Sequence, residues 1–347
     1  MGVTPVTDKE PPAPLIALRR RRFAGLVAAL AALTIVTVLS VMVGSQAIAP
    51  SVVWDALFNP SDDFDHFAIS DFRLPRTIVG LAVGAAFGIS GALIQALTRN
   101  PLADPGILGV NAGASFAVTV AVGLLGVSDI RGYMWFAFVG ALVVTIVVLA
   151  LGSTRRGQSP VVMVLAGVCV GAVLGGATSA LTMTNPDAFD QMRAWGAGSI
   201  LGRPLEIVWP VLPLLGVALV LALITSRSLN AMALGDELAA SQGVRLVRTR
   251  ILSVAAITLL AGGATAIAGP IGFVGLMVPH VARWIVGPDQ RWIFAYSVLL
   301  APSLLLASDV LGRVVMAPSE IPVGIVTAFV GAPVLIALVR RRKASGL

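Results

Sequence analysis

Charge, lysine, histidine and cysteine are all scarce in this chain. Of its 347 residues 12% are charged and 57% hydrophobic, with a mean hydropathy of +0.94. A soluble domain carries about 25% charged residues, so a water-soluble enzyme is excluded. The single cysteine, Cys169, closes no bridge within the chain and says nothing of redox compartment. His66, His280 and Cys169 are scattered, with no carboxylate cluster at ligand spacing, so a bare transition-metal ion has no ligand set and any metal cargo would arrive already chelated. The only lysines, Lys9 and Lys343, belong to no GxxxxGK[ST] motif, which denies the chain a P-loop of its own. Carboxylates are nearly missing from the apolar runs: Asp104, Glu206, Asp309 and Glu320 fall at turns or run ends. An ion-coupled secondary carrier keeps ionisable groups at membrane depth, and an intramembrane enzyme needs a nucleophile with its base. Neither pattern is visible, and no catalytic residue, metal ligand or cofactor site is expected.

What is abundant is apolar sequence. A helix needs about 20 residues to cross a bilayer, and runs of that order lie near 23–43, 78–96, 107–125, 134–151, 161–183, 207–225, 251–268, 271–285, 293–306 and 322–339, the eighth and ninth being the shortest. The expected fold is an all-α polytopic membrane protein of about ten transmembrane helices, with 19–343 as the membrane domain. Residues 1–18, with Pro5, Pro11, Pro12 and Pro14, read as a disordered cytoplasmic tail, and 344–347 as a cytoplasmic end. The first run is too long for a signal h-region of about 7 to 15 residues, so it is expected to stay as a helix.

The net charge of +7 is dispersed in small groups rather than gathered on one face, which argues against a nucleic-acid partner. With the amino terminus inside, 18 of the 24 basic residues fall in inner segments, and Arg73, Arg76, Arg131, Arg193, Arg203 and Arg313 remain outside. That bias follows the positive-inside rule and places both termini on the cytoplasmic side of a cytoplasmic membrane. Glycines spaced three to four apart, Gly84, Gly88 and Gly91, then Gly167, Gly171, Gly175 and Gly176, read mainly as packing faces, with a minority lining a path.

Three local sequences say more. In Asn100-Pro101-Leu102-Ala103-Asp104-Pro105-Gly106, two prolines end the helix while Asn100 and Asp104 offer caps, giving a rigid reversal at the inner mouth that serves equally as a gate or as a plain turn. The stretch Ser226 to Arg250 is too polar to span; its Leu234-Gly235-Asp236-Glu237-Leu238-Ala239 core and Gly243 read as a short amphipathic helix pair presented to a cytoplasmic partner, or else as an interfacial helix on membrane lipid. Gly269 to Arg283 and Pro318 to Pro333 place glycine and proline at span starts and middles, where helices kink or break.

Together with Arg73-Leu74-Pro75-Arg76-Thr77 and Glu320 to Gly324, these sequences resemble, in the right order and over nearly the whole chain, the FecCD family, the permease subunits of iron-siderophore, haem and cobalamin ABC importers. The resemblance implies a type II importer permease architecture with an inverted repeat, a second permease copy or homologue, a pair of cytoplasmic ABC ATPases and an extracytoplasmic binding protein. It places binding-protein docking at Arg73, Arg76 and Arg313, a cytoplasmic gate at Asn100 and Leu102 with Ser159 in a second layer, and ATPase coupling at Leu234, Gly235, Glu237 and Gly243. A ferric siderophore is the expected cargo, and haem or cobalamin the nearest alternative.

Overall fold

The computed structural model describes residues 13–344 except 45, 47, 60, 62, 155, 156 and 159. Where no water can satisfy backbone groups, the chain satisfies them within helices, and fifteen α-helices follow in order: α1 (Ala13–Met42), α2 (Pro50–Phe58), α3 (Phe64–Phe67), α4 (Leu74–Thr98), α5 (Val110–Gly123), α6 (Ile130–Leu151), α7 (Pro160–Thr184), α8 (Pro186–Gly196), α9 (Leu205–Val208), α10 (Leu212–Met232), α11 (Asp236–Ser241), α12 (Leu246–Ala268), α13 (Val274–Val286), α14 (Gln290–Val315) and α15 (Val323–Ala344). Ser153–Thr154 pairs antiparallel with Gly157–Gln158 between α6 and α7. Among the described residues seven helices are long and apolar enough to cross a membrane, and α5, α13 and the start of α15 are shorter apolar helices. These ten stand where the ten apolar runs lie.

The boundaries differ for local reasons. The second span opens at Phe64, not near residue 78: α3 runs through a π-turn, Ala68–Arg73, straight into α4. Pro75 cannot donate to the preceding turn, and the wider π-turn absorbs that loss. Helix α5 is only 14 residues, because a 3-10 turn at Pro105–Leu108 and a left-handed Gly109 precede it. At about 21 Å it is shorter than a bilayer core. Nothing breaks the chain between Thr225 and Met232, so α10 continues through the first part of the segment read as cytoplasmic. Instead of a helix pair, a single six-residue helix, α11, stands there between left-handed Gly235 and Gly243. Helix α14 extends to 26 residues, past Ser308, Asp309 and Arg313, whose polarity had shortened the apolar run. Helix α1 begins at Ala13, so the last residues of the segment read as a tail are helical, and residues 1–12 lie outside the described part.

Helices α4 and α12 form the centre: 78% of the most apolar stretch of each is buried, against 11% for α1 and α7. Helix α4 packs against α12, α13 and α14, and it approaches α13 and α14 closely because its glycines remove the side chains that would hold them apart. A Cβ at Gly84 would lie 2.6 Å from the Pro302 backbone, and one at Gly91 1.8 Å from the Gly275 carbonyl oxygen. The α7 glycines divide differently. Gly167 abuts the Ile107 carbonyl, whereas Gly175 and Gly176 have open space beside them. Helix α1, with little packing, is fixed at its ends. At the N-terminal one, the Arg22 guanidinium donates to the Val286 carbonyl at 2.7 and 3.1 Å, and the Tyr296 hydroxyl donates to the Arg22 carbonyl.

Candidate functional site: an arginine cluster, a capped turn and a presented helix

The last turn of any helix leaves carbonyls without partners. At the end of α1 these are claimed by two of the outer arginines. Arg73, closing the π-turn, donates to the carbonyls of Met42 and Gln46 at 2.8 Å each and of Val41 at 3.2 Å. Arg313, near the end of α14, donates to the carbonyls of Ser40 at 2.7 Å and Val43 at 2.8 Å. Its Nε also donates to Asp309 Oδ2 at 3.0 Å, the i,i+4 pairing of one helix face. Arg76, in the first turn of α4, donates to Asp309 Oδ1 from Nη2 at 2.6 Å and from Nε at 3.1 Å, and to Glu320 Oε2 at 2.5 Å.

The structure therefore brings the three docking candidates together and buries them: Arg73 is 7% exposed, Arg76 6% and Arg313 1%. Asp309, itself 1% exposed, serves two of them with one carboxylate. The three guanidiniums and Glu320 border a cavity of about 190 Å³ lined also by Gly44, Gln46, Phe72 and Leu201, and Asp65 stands close enough to act on Arg73 as well. Sequence reasoning had placed Asp309 and Glu320 at span ends without giving them partners. The Asp309–Arg313 spacing was a usable signal; the pairings across 233 and 244 residues were not.

At the opposite end, α4 stops at Thr98 on a left-handed Arg99 (φ 53°). The turn that follows caps itself: Asn100 Oδ1 accepts from the Leu102 N–H at 3.0 Å, and Asp104 Oδ1 accepts from the Gly106 N–H at 2.8 Å. Burial raises the Asp104 carboxyl above its ordinary range, the Gly106 N–H opposing it. Leu102 is exposed at the tip of this turn. Ser159, the second gate candidate, lies outside the described residues.

Next to this turn stands α11. Leu234, Glu237 and Gly243 are exposed, Gly235 (φ 116°) opens the helix, and buried Ala239 seats it on the bundle. Beside it runs a broad apolar hollow lined by Ala240, Val244, Leu246, Val247, Ile251 and Leu252 with Arg245 and Arg248. An exposed apolar surface of this kind marks a docking face for a partner or membrane. Asp236, which sequence reasoning passed over, joins α11 to Arg99 and to Arg250 of α12.

A bundle of helices long and apolar enough to cross a membrane, with a polar cluster at one end and a projecting helix at the other, has the architecture of a polytopic membrane protein. The sequence matches the FecCD transport family over residues 32–341, and the chain belongs to that family. It is 49% identical over 315 residues to the ferric enterobactin transport system permease protein FepD of Escherichia coli, covering 90% of this chain and 94% of that protein. It is 36% identical over 303 residues to the probable siderophore transport system permease protein YfiZ of Bacillus subtilis, covering 87% and 91%. With the cobalamin import system permease protein BtuC of Halobacterium salinarum it shares 38% identity over 280 residues, covering 80% and 75%. A solved inward-facing structure of the metal-chelate type of ABC transporter superposes with a TM-score of 0.78 at 26% identity, covering 93% of this chain and 99% of that one.

Proposed function

We propose that this chain is the membrane-spanning permease subunit of an ATP-binding-cassette importer that carries a ferric siderophore inward across the cytoplasmic membrane. The observation that carries this reading is the 49% identity to a ferric enterobactin permease over nine-tenths of the chain. In this reading two ABC ATPases grip the inner surface at Leu234, Gly235, Glu237 and Gly243. Their closure on ATP moves α11 and shifts the bundle between outward-open and inward-open states. Asn100 and Leu102, with Ser159, close the inner mouth. A second permease, identical or homologous, completes the path. The 18-to-6 charge asymmetry supports cytoplasmic termini.

An extracytoplasmic binding protein delivers the chelate to the outer face. Because Arg73, Arg76 and Arg313 are largely consumed by internal partners, their part in docking is a collective one. The guanidiniums beneath the rim around Gln46 and Phe72 would supply the positive side of a surface complementary to acidic lobes. Lipid covers the apolar flanks, such as the exposed side of α1.

The test is purification of the chain with a co-expressed ABC ATPase, followed by reconstitution and uptake from a panel of labelled ferric catecholate, ferric hydroxamate, haem and cobalamin. Accumulation of a ferric chelate is expected. Accumulation of cobalamin or haem alone would overturn the cargo, and absence of any bound ATPase would overturn the class of transporter.

A further inference from the structure

The two oxygens of the Asp236 carboxylate are divided between helices far apart in sequence: Arg99 Nη2 donates to Oδ1 and Arg250 Nη2 donates to Oδ2. Arg99 is the residue on which α4 ends, in the left-handed position that glycine usually fills at a helix C-terminus. An arginine held there against its backbone preference is accounted for by its side chain, which reaches Asp236. The residue after it begins the Asn100 to Asp104 turn. Arg250 sits near the start of α12. Helices α4 and α12 are the two most buried spans and pack on each other, whereas α11 is short and mostly exposed. Asp236 is thus where the presented helix meets both central rods. Arg99 is 42% and Asp236 38% exposed, and ion pairs that open to water add little to stability, so stability alone does not explain the arrangement.

We propose that Asp236 is the positioning residue that transmits displacement of α11 to the inner gate turn. Holding Arg99, it makes the Asn100 to Asp104 turn move with α11; holding Arg250, it keeps both in register with α12. This rests on the reading that an ATPase drives α11, and adds to it the route by which that drive reaches the gate.

The experiment measures uptake and ATP hydrolysis in the same vesicles, containing the whole transporter with its ATPase and binding protein. Variants are Asp236→Asn, Arg99→Gln, their double variant and Asp236→Glu. Asp236→Asn and Arg99→Gln are each expected to lower uptake per ATP hydrolysed about fivefold or more, the double variant no further than Asp236→Asn, and Asp236→Glu to retain most of it. Co-purification with the ATPase persists throughout. Wild-type coupling in Asp236→Asn, losses that multiply in the double variant, or loss of the ATPase from Asp236→Asn would each overturn the inference. A wild-type complex that never couples uptake to ATP would overturn the importer reading, and the inference with it.

Discussion

Replacing Asp309 with asparagine is the sharpest perturbation of the outer cluster. The side chain keeps its shape and one acceptor oxygen, but it loses the charge and turns an amide N–H2 toward one of the two guanidiniums that the carboxylate served. That carboxylate accepts from Arg76 at 2.6 and 3.1 Å and from the Arg313 Nε at 3.0 Å, and it is 1% exposed. Without it Arg76 keeps Glu320, and Arg313 keeps the Ser40 and Val43 carbonyls and the Ser40 hydroxyl, but neither keeps the Asp309 charge. Removing one partner of a buried ion pair costs about 3 to 5 kcal/mol. At roughly 2 °C per kcal/mol for a chain of this size, Asp309→Asn should melt at least about 5 °C below wild type in detergent, followed by fluorescence-detected size exclusion. Arg73→Gln, which removes donors to the Val41, Met42 and Gln46 carbonyls, should cost less, about 1 to 2 kcal/mol. A melting point for Asp309→Asn within about 1 °C of wild type would refute the reasoning that one carboxylate restrains two buried arginines.

Other expectations follow from the same geometry. Gly91→Ala drives a methyl into the Gly275 carbonyl and should destabilise the bundle by about 1 to 3 kcal/mol, whereas Gly175→Ala, which meets nothing within 4 Å, should melt like wild type. Leu234→Asp and Glu237→Lys should release the ATPase on co-purification without lowering the melting point, since both residues are exposed. Asp104→Ala should lose about 1 kcal/mol by removing a cap, while Asp104→Asn keeps the acceptor for Gly106. Because the folded Asp104 pKa is raised from 3.8, its contribution to stability is full below that value and is lost as pH rises through the folded pKa. Thermal melts across acid pH should show this decline in wild type and not in Asp104→Asn.

Much of the bundle was legible as runs of apolar residues, because the bilayer forces such runs into helices whatever their neighbours. What hydropathy misplaced were ends decided by backbone geometry: the π-turn before Pro75, the left-handed Gly109 that trims α5, and the uninterrupted turn from Thr225 to Met232 that lengthens α10. Outer arginines could be sorted to one side by counting charge. Their burial could not, since it depends on acids more than 200 residues away and on the carbonyls at the end of α1. The Asn100 and Asp104 caps were readable from residue type and spacing alone. The Arg99–Asp236 contact, 137 residues apart, carries no periodicity that a sequence could display.

In the proposed cycle this bundle moves its cargo only when a nucleotide-hydrolysing partner drives α11. Sealed vesicles holding the chain with and without that ATPase, supplied with loaded binding protein and internal ATP, test it directly through accumulation of labelled ferric chelate above the external concentration. Accumulation is expected only with the ATPase and ATP together; equal accumulation from the chain alone, driven by an ion gradient, would contradict it.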